Sequence, residues 1–225
     1  MRLPIPSLGR GPSIESNKEL LDFNPKFPSA RAVIPFFALL LLLCPAAYSQ
    51  SGANTAPADL DTLVHGAQTI LRGQVTSAKV EPHPQFSNLQ TVVVTLAVNR
   101  VLKGEPATTI TFRQYLWDAR ELPVLGGYKA AGELLLFLNP VSPYGLTSPV
   151  ALEQGRFRIL RDAKGNRYAL NGRGNLGLFS HVENKASSRG LIFSKPVKEM
   201  LAKPNGQVPL DVFEEAIHEL IGAAK

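Results

Sequence analysis

Apolar and polar side chains alternate from Thr69 to Arg161, and no other feature constrains the fold as strongly. A two-residue period puts successive side chains on opposite faces of a pleated strand. The clearest run is Thr91–Leu102 (TVVVTLAVNRVL), where Val92, Val94, Leu96 and Val98 fall on one face and Val93, Thr95, Ala97 and Asn99 on the other. The pattern predicts four companions. Thr69–Val80 carries Ile70, Val75 and Val80, and the following Glu81-Pro82-His83-Pro84 ends it, because proline removes ladder donors. Thr108–Leu116 alternates Ile110 and Phe112 with Thr109, Thr111 and Arg113. Glu133–Leu138 (ELLLFL) is a continuous apolar run, which requires burial on both faces. Gly155–Arg161 alternates again, and Lys164-Gly165-Asn166 turns the chain into a short sixth strand, Arg167–Leu170.

Helices frame these strands. Leu60, Leu63 and Val64 give Asp59–Ala67 one apolar face. Near the C-terminus, Leu210, Phe213, Ala216, Ile217, Leu220 and Ile221 form an apolar stripe, with Asp211 as the expected cap, Glu214 three residues on, and Glu214, Glu215 and Glu219 expected in water. Residues 172–206 read as loop-rich. There is no strand–helix–strand rhythm, so the expected class is mainly β: a small antiparallel β-barrel of five to six strands, with a short N-terminal helix and a C-terminal amphipathic helix across one mouth. A flat sandwich is the alternative.

Residues 1–49 read as a targeting segment with a long n-region. Five Lys/Arg precede an uncharged stretch, Ala32–Tyr48, whose centre is Phe36–Leu43, and Ala47-Tyr48-Ser49 provides small residues two apart. This is the layout of a secretory signal cut between Ser49 and Gln50. The apolar run is short for a spanning helix and Pro35 and Pro45 bracket its core, so an uncleaved inner-membrane anchor is the alternative. Residues 50–57 form a small-residue linker, 58–175 the barrel, and 176–225 a loop and helix packed on it. The chain is expected to be exported, periplasmic or extracellular, with membrane contact only if Ala32–Tyr48 stays attached.

Composition excludes several chemistries. Cys44 is the single cysteine and lies in the targeting segment, so residues 50–225 hold no disulfide, cysteine-ligated zinc or iron–sulfur centre. A unit of that size buries roughly 70% of its unfolded surface and needs no such staple. The 24 Lys/Arg outnumber the 18 Asp/Glu; residues 1–49 hold five and three of them, so 50–225 keeps 19 against 15. No dense basic run accompanies this mild excess, and nucleic acid is not an expected partner.

The order Val75, Val92–Val98, Val101-Leu102-Lys103-Gly104 and Gly132-Glu133-Leu134-Leu135-Leu136-Phe137-Leu138 resembles a group of exported bacterial proteins of unknown function. They are similar in layout to the OB-like netrin/TIMP-type barrel of the tissue inhibitors of metalloproteinases. The resemblance covers about residues 58–170 and implies an OB-like fold. Those inhibitors chelate the protease zinc through an N-terminal cysteine, which residues 50–225 lack. The fold is implied, and the inhibitory mechanism is not.

Motifs with chemical precedent lack their context. Gly172-Arg173-Gly174-Asn175-Leu176-Gly177 is a literal GxGxxG, but no periodic helix follows it. His218-Glu219 begins like a zincin motif, yet Gly222 stands where the second histidine is required. His65, His83, His181 and His218 lie in separate elements without ligand spacing, so a metal site would need distant residues to converge. No GxSxG elbow is present. Asp118 and Glu121 fall in a long excursion, Trp117–Gly132, and Glu214 and Glu215 are helix neighbours that do not face each other. No catalytic residue, cofactor or metal is expected.

What remains is a surface. Tyr115, Trp117 and Tyr128 flank the excursion, and Arg156 and Arg158 sit on the outward side of a strand. Aromatic and arginine side chains anchor interfaces. The expected function is a non-enzymatic binding module for a protein or glycan partner. The alternatives are an enzyme-associated or inhibitor-like module, resting on fold analogy, and a metal protein built from distant histidines.

Overall fold

A computed structural model describes residues 55–128 and 132–223. The expected export segment, the Ser49/Gln50 position and most of the linker lie outside the described residues. The strands are β1 (Thr69–Pro82), β2 (Gln90–Lys103), β3 (Thr109–Tyr115), β4 (Glu133–Leu138), β5 (Arg156–Arg161), β6 (Arg167–Asn171) and β7 (Val208–Pro209). They form one antiparallel sheet in the order β3-β2-β1-β4-β5-β6-β7. The mainly β expectation holds. The expected closure of five or six strands into a barrel does not: the sheet has seven strands and runs open from β3 to β7. Alternation reports which face a side chain takes, whereas strand neighbours are set by pairings distant in sequence.

β1 lies third in this order, between β2 and β4, and it feeds two cores. Its register against β2 shifts between Ile70 and Leu71, between Arg72 and Gly73, and between Val75 and Ser77. Such bulges bend and twist a strand. Gly73 is required there, because a Cβ would lie 2.5 Å from the Ala97 carbonyl oxygen. β4 fulfils the expectation of double burial. Leu135 and Phe137 enter a first core with Ile70, Phe157 and Phe213. Leu134, Leu136 and Leu138 enter a second with Val75, Val92, Val94, Leu96 and Phe112.

Four helices cover the first core: α1 (Leu60–Gly66), α2 (Val182–Ser187), α3 (Lys195–Leu201) and α4 (Leu210–Gly222). Asp59 caps α1, its Oδ1 accepting from the Thr62 N–H at 2.9 Å. At the other end Lys103 Nζ donates to the Val64 carbonyl at 2.8 Å, and burial lowers the pKa of that ammonium. α2 and α3 occupy the stretch read as loop. Phe213, Ile217 and Leu220 of α4 are fully buried, and the Phe213 ring lies tilted against Phe157 at 4.9 Å between centroids. Each such side chain contributes ~1.5–3 kcal/mol. The helix therefore covers a sheet face and not a barrel mouth. Its cap position is Pro209 without a side-chain cap bond, so Asp211 lies inside the first turn and the expected capping box is absent.

Among the described residues no α-helix lies over the second core. The 139–149 segment leaves β4, pairs back through Leu138 and Pro149, and reaches the outer edge of β3, where Leu146 bridges Arg113. The Thr147 N–H donates to the Arg113 carbonyl at 2.9 Å. This segment bridges the edge of β3 to the end of β4, and Leu122, Leu125 and Tyr128 of the excursion pack on the second core.

At the start of the described chain Gln154 forms a clasp. Its Nε2 donates to Thr55 Oγ1 at 2.8 Å and to the Ala56 carbonyl at 2.9 Å, while its Oε1 accepts from the Ala58 N–H at 2.9 Å. The end of the expected linker is thus held against the domain. Among the described residues, no helix is long and apolar enough to cross a membrane.

Candidate binding surface

Tyr115 ends β3 opposite Thr91. Phe112 and Gln114 point into the second core, so the two-residue period turns Tyr115 outward. Trp117 follows and is 61% exposed, its ring in edge contact with Tyr115 at 5.0 Å between centroids. Two acidic side chains shape the backbone beside it. Asp118 accepts from the Arg120 N–H at 2.8 Å and pairs with the Arg120 guanidinium, which lowers its pKa to about 2. Glu121 accepts from the Trp117 N–H at 3.2 Å, and burial pushes its pKa up. Both carboxylates are committed to loop geometry.

The other expected surface residues divide. Tyr128 is fully buried and is removed from the surface. Its hydroxyl donates to Gln114 Oε1 at 2.6 Å, its ring meets Phe112 edge-on, and burial drives its pKa up to about 12. It plugs the second core, as a large aromatic with a satisfied hydroxyl does. Arg156 lies over the Tyr128 ring at 4.9 Å, donates to the Gly126 carbonyl and pairs with Glu153 at 3.0 Å. It ties the excursion to β5 and is a structural tether rather than an open contact residue. Arg158 is exposed, and its guanidinium has no hydrogen bond or ion pair among the described residues. The structure therefore leaves Tyr115, Trp117 and Arg158 at the surface.

Further aromatics occupy the same end of β1–β3. The Gln90 carbonyl accepts from the Leu116 N–H at 3.0 Å, which brings the β1–β2 loop beside the start of the excursion. In that loop His83 is buried. Its Nδ1 accepts from the Gln85 N–H at 3.1 Å, so its Nε2 carries the proton that goes to the Tyr144 carbonyl at 2.9 Å. Phe86 stacks on His83 at 5.1 Å and meets Tyr144 edge-on at 5.5 Å. Phe86 and Tyr144 are themselves exposed, as is Val141 nearby in sequence. The sequence reading missed these because they reach this end through the hydrogen bond between His83 and Tyr144, 61 positions apart.

The remaining motifs have structural occupations. In the GxGxxG loop Asn175 is buried in the left-handed region, accepts from the Asn171 N–H at 2.9 Å, and donates to the Ala169 and Gly206 carbonyls at 3.1 and 2.8 Å. His65 Nδ1 meets the Asp61 carbonyl at 2.8 Å, and His218 Nε2 faces Arg100 at 3.2 Å. Among the described residues, no three His, Cys, Asp or Glu side chains converge as a metal site.

One charged constellation escaped the sequence reading. Glu214, expected in water, is 4% exposed and receives Arg72 Nε and Arg100 Nη1, each at 2.7 Å. Arg72 also pairs with Glu133 at 2.6 Å, and Glu133 with Arg161 at 3.1 Å. Burial alone would lower the pKa of the Arg72 guanidinium, and its bonds to Glu214 and Glu133 raise it. Glu214 is pulled in because it sits four residues after Leu210 and three before Ile217, on the apolar stripe. Comparison with protein-family models, with curated proteins and with solved structures yields no match to this chain.

Proposed function

We propose that the chain is an exported, non-enzymatic binding module whose contact face is the aromatic end of β1–β3. One observation carries this reading: the single tryptophan of the chain stands exposed beside Tyr115, on a loop whose base is anchored by Tyr128 and Arg156. Leaving a large aromatic in water forgoes burial, and aromatics of this kind anchor interfaces when a partner covers them. Phe86, Tyr144 and Val141 extend the apolar area. A protein or glycan is the partner class that such rings accept. The bridges from the 139–149 segment to β3 and β4 support a barrel-like relation to the OB-type layout, although the main sheet is open.

The test uses residues 50–225, immobilised and exposed to extracts of the source cells and to a glycan panel, beside a Trp117→Ala, Tyr115→Ala variant. A species held by the parent and lost by the variant is the expected result. Equal retention by both proteins would place the contact elsewhere and end this assignment of the face.

A further inference from the structure

A cleft of about 360 Å³ opens between the sheet and α4, lined by Arg72, Arg100 and Arg167 from the strands and by Asp211, Glu214, Glu215, His218 and Glu219 from the helix. Its two walls are opposite in charge: every strand residue is an arginine, and every helix residue but His218 is a carboxylate.

Most of these charges are occupied. Arg72 and Arg100 hold Glu214. Glu215 accepts from Ser194 Oγ at 2.7 Å, and Glu219 accepts from the Ser194 N–H at 3.3 Å. Two are not. Among the described residues, neither the Arg167 guanidinium nor the Asp211 carboxylate makes a hydrogen bond or ion pair. They line the same cleft, one on each wall, and stand further apart than a direct ion pair.

Arg167 is also placed awkwardly. It lies directly opposite Arg161 on the neighbouring strand. Like charges opposite each other on adjacent strands are destabilising. Arg161 has Glu133 as a counter-charge, and Arg167 has none.

We infer that this cleft binds a small zwitterion, an α-amino acid or short peptide with free termini, whose carboxylate meets Arg167 and whose ammonium meets Asp211. A guanidinium recognises a carboxylate through paired N–H donors. A simple anion is repelled by Asp211, Glu215 and Glu219, and a simple cation by Arg167 and Arg100. Only a molecule carrying both charges complements both unpaired groups. The volume lies in the small-ligand range. This site is separate from the aromatic end and does not depend on its role.

The probes are diglycine, its N-acetyl and methyl-ester derivatives, succinate and putrescine, titrated calorimetrically into the protein at low salt. Millimolar or tighter binding of diglycine is expected, with at least about a tenfold loss for either blocked derivative. Arg167→Gln and Asp211→Asn are each expected to weaken diglycine by a similar factor. Both variants alter exposed or half-buried positions, and circular dichroism checks that they fold. No diglycine binding at millimolar concentration overturns the proposal. So does succinate or putrescine binding as tightly as diglycine, or a folded Arg167→Gln variant with unchanged affinity.

Discussion

Leu135 and Phe137 leave β4 on one side, Leu134, Leu136 and Leu138 on the other, and the two sets enter cores with different lids. The first is closed by four helices and bordered by the ion network of Arg72, Glu133 and Glu214. The second is closed by the excursion, whose Leu122, Leu125 and Tyr128 pack on it with Gln114 as the partner of Tyr128, while the 139–149 segment bridges the edges of β3 and β4. A helical lid brings charged seams wherever its polar flank meets the strands. The second core takes a plug from the loop that crosses it, with the Arg156–Glu153 pair over that plug. Tyr115 and Trp117 flank Leu116 at the rim of the second core, where among the described residues no α-helix covers them.

The largest effect should come from the helix-covered core. Phe157→Ala removes a ring that contacts both Phe137 and Phe213, and should cost ~3–5 kcal/mol by urea denaturation. Leu96→Ala in the second core should cost ~2–5 kcal/mol, with the smaller drop in midpoint. A larger loss at Leu96 would reverse the ranking and make the loop-covered half the principal source of stability.

The seam between helix and sheet should respond nearly as strongly. Glu214→Ala leaves the buried Arg72 with half its counter-charge and should cost about 3 kcal/mol, whereas Arg72→Met with Glu214→Leu should recover much of that loss. A loss below ~1 kcal/mol for the single variant would match an exposed pair and refute the desolvated reading.

Alkali separates the cores by a different route. The folded pKa of Tyr128 is raised from 10.0 to about 12, so its contribution is intact below pH 10 and lost as pH climbs to about 12. Two units correspond to ~2–3 kcal/mol. Denaturation midpoints across that range should fall in the parent and show less dependence in Tyr128→Phe, which itself strands Gln114 at a cost of ~1–3 kcal/mol. Identical alkaline profiles would mean that Tyr128 is not the plug.

The rim should be nearly silent. Trp117→Ala should shift stability by no more than ~0.5 kcal/mol in thermal denaturation, as exposed substitutions do. A larger loss would make Trp117 a packing residue and remove the basis for a contact face.

The strands were legible because burial imposes a period on them. Val92, Val94 and Leu96 are buried as their alternation requires, and the unbroken run of β4 announced a strand between two cores. β7 was not legible, since two residues carry no period. Neither were α2 and α3, each less than two full turns and held by contacts with other elements. Glu214 was misread by type although its position lay on the apolar stripe; its partner Arg72 is 142 residues away, and no local pattern reports such a pairing. The candidate face was half legible. Trp117 is exposed, while Tyr128 and Arg156, of the same residue classes, are consumed by the loop's own anchoring.

That anchoring has a consequence for how the chain tolerates change. The excursion is pinned by Tyr128 in the second core and by Arg156 on the Gly126 carbonyl, so its foundation and its outer surface are made by different residues. Positions such as Trp117 and Val124 can be replaced without loosening the foundation. The loop is therefore a graft site: a family of variants altered only at those outward positions would keep one scaffold and present many surfaces.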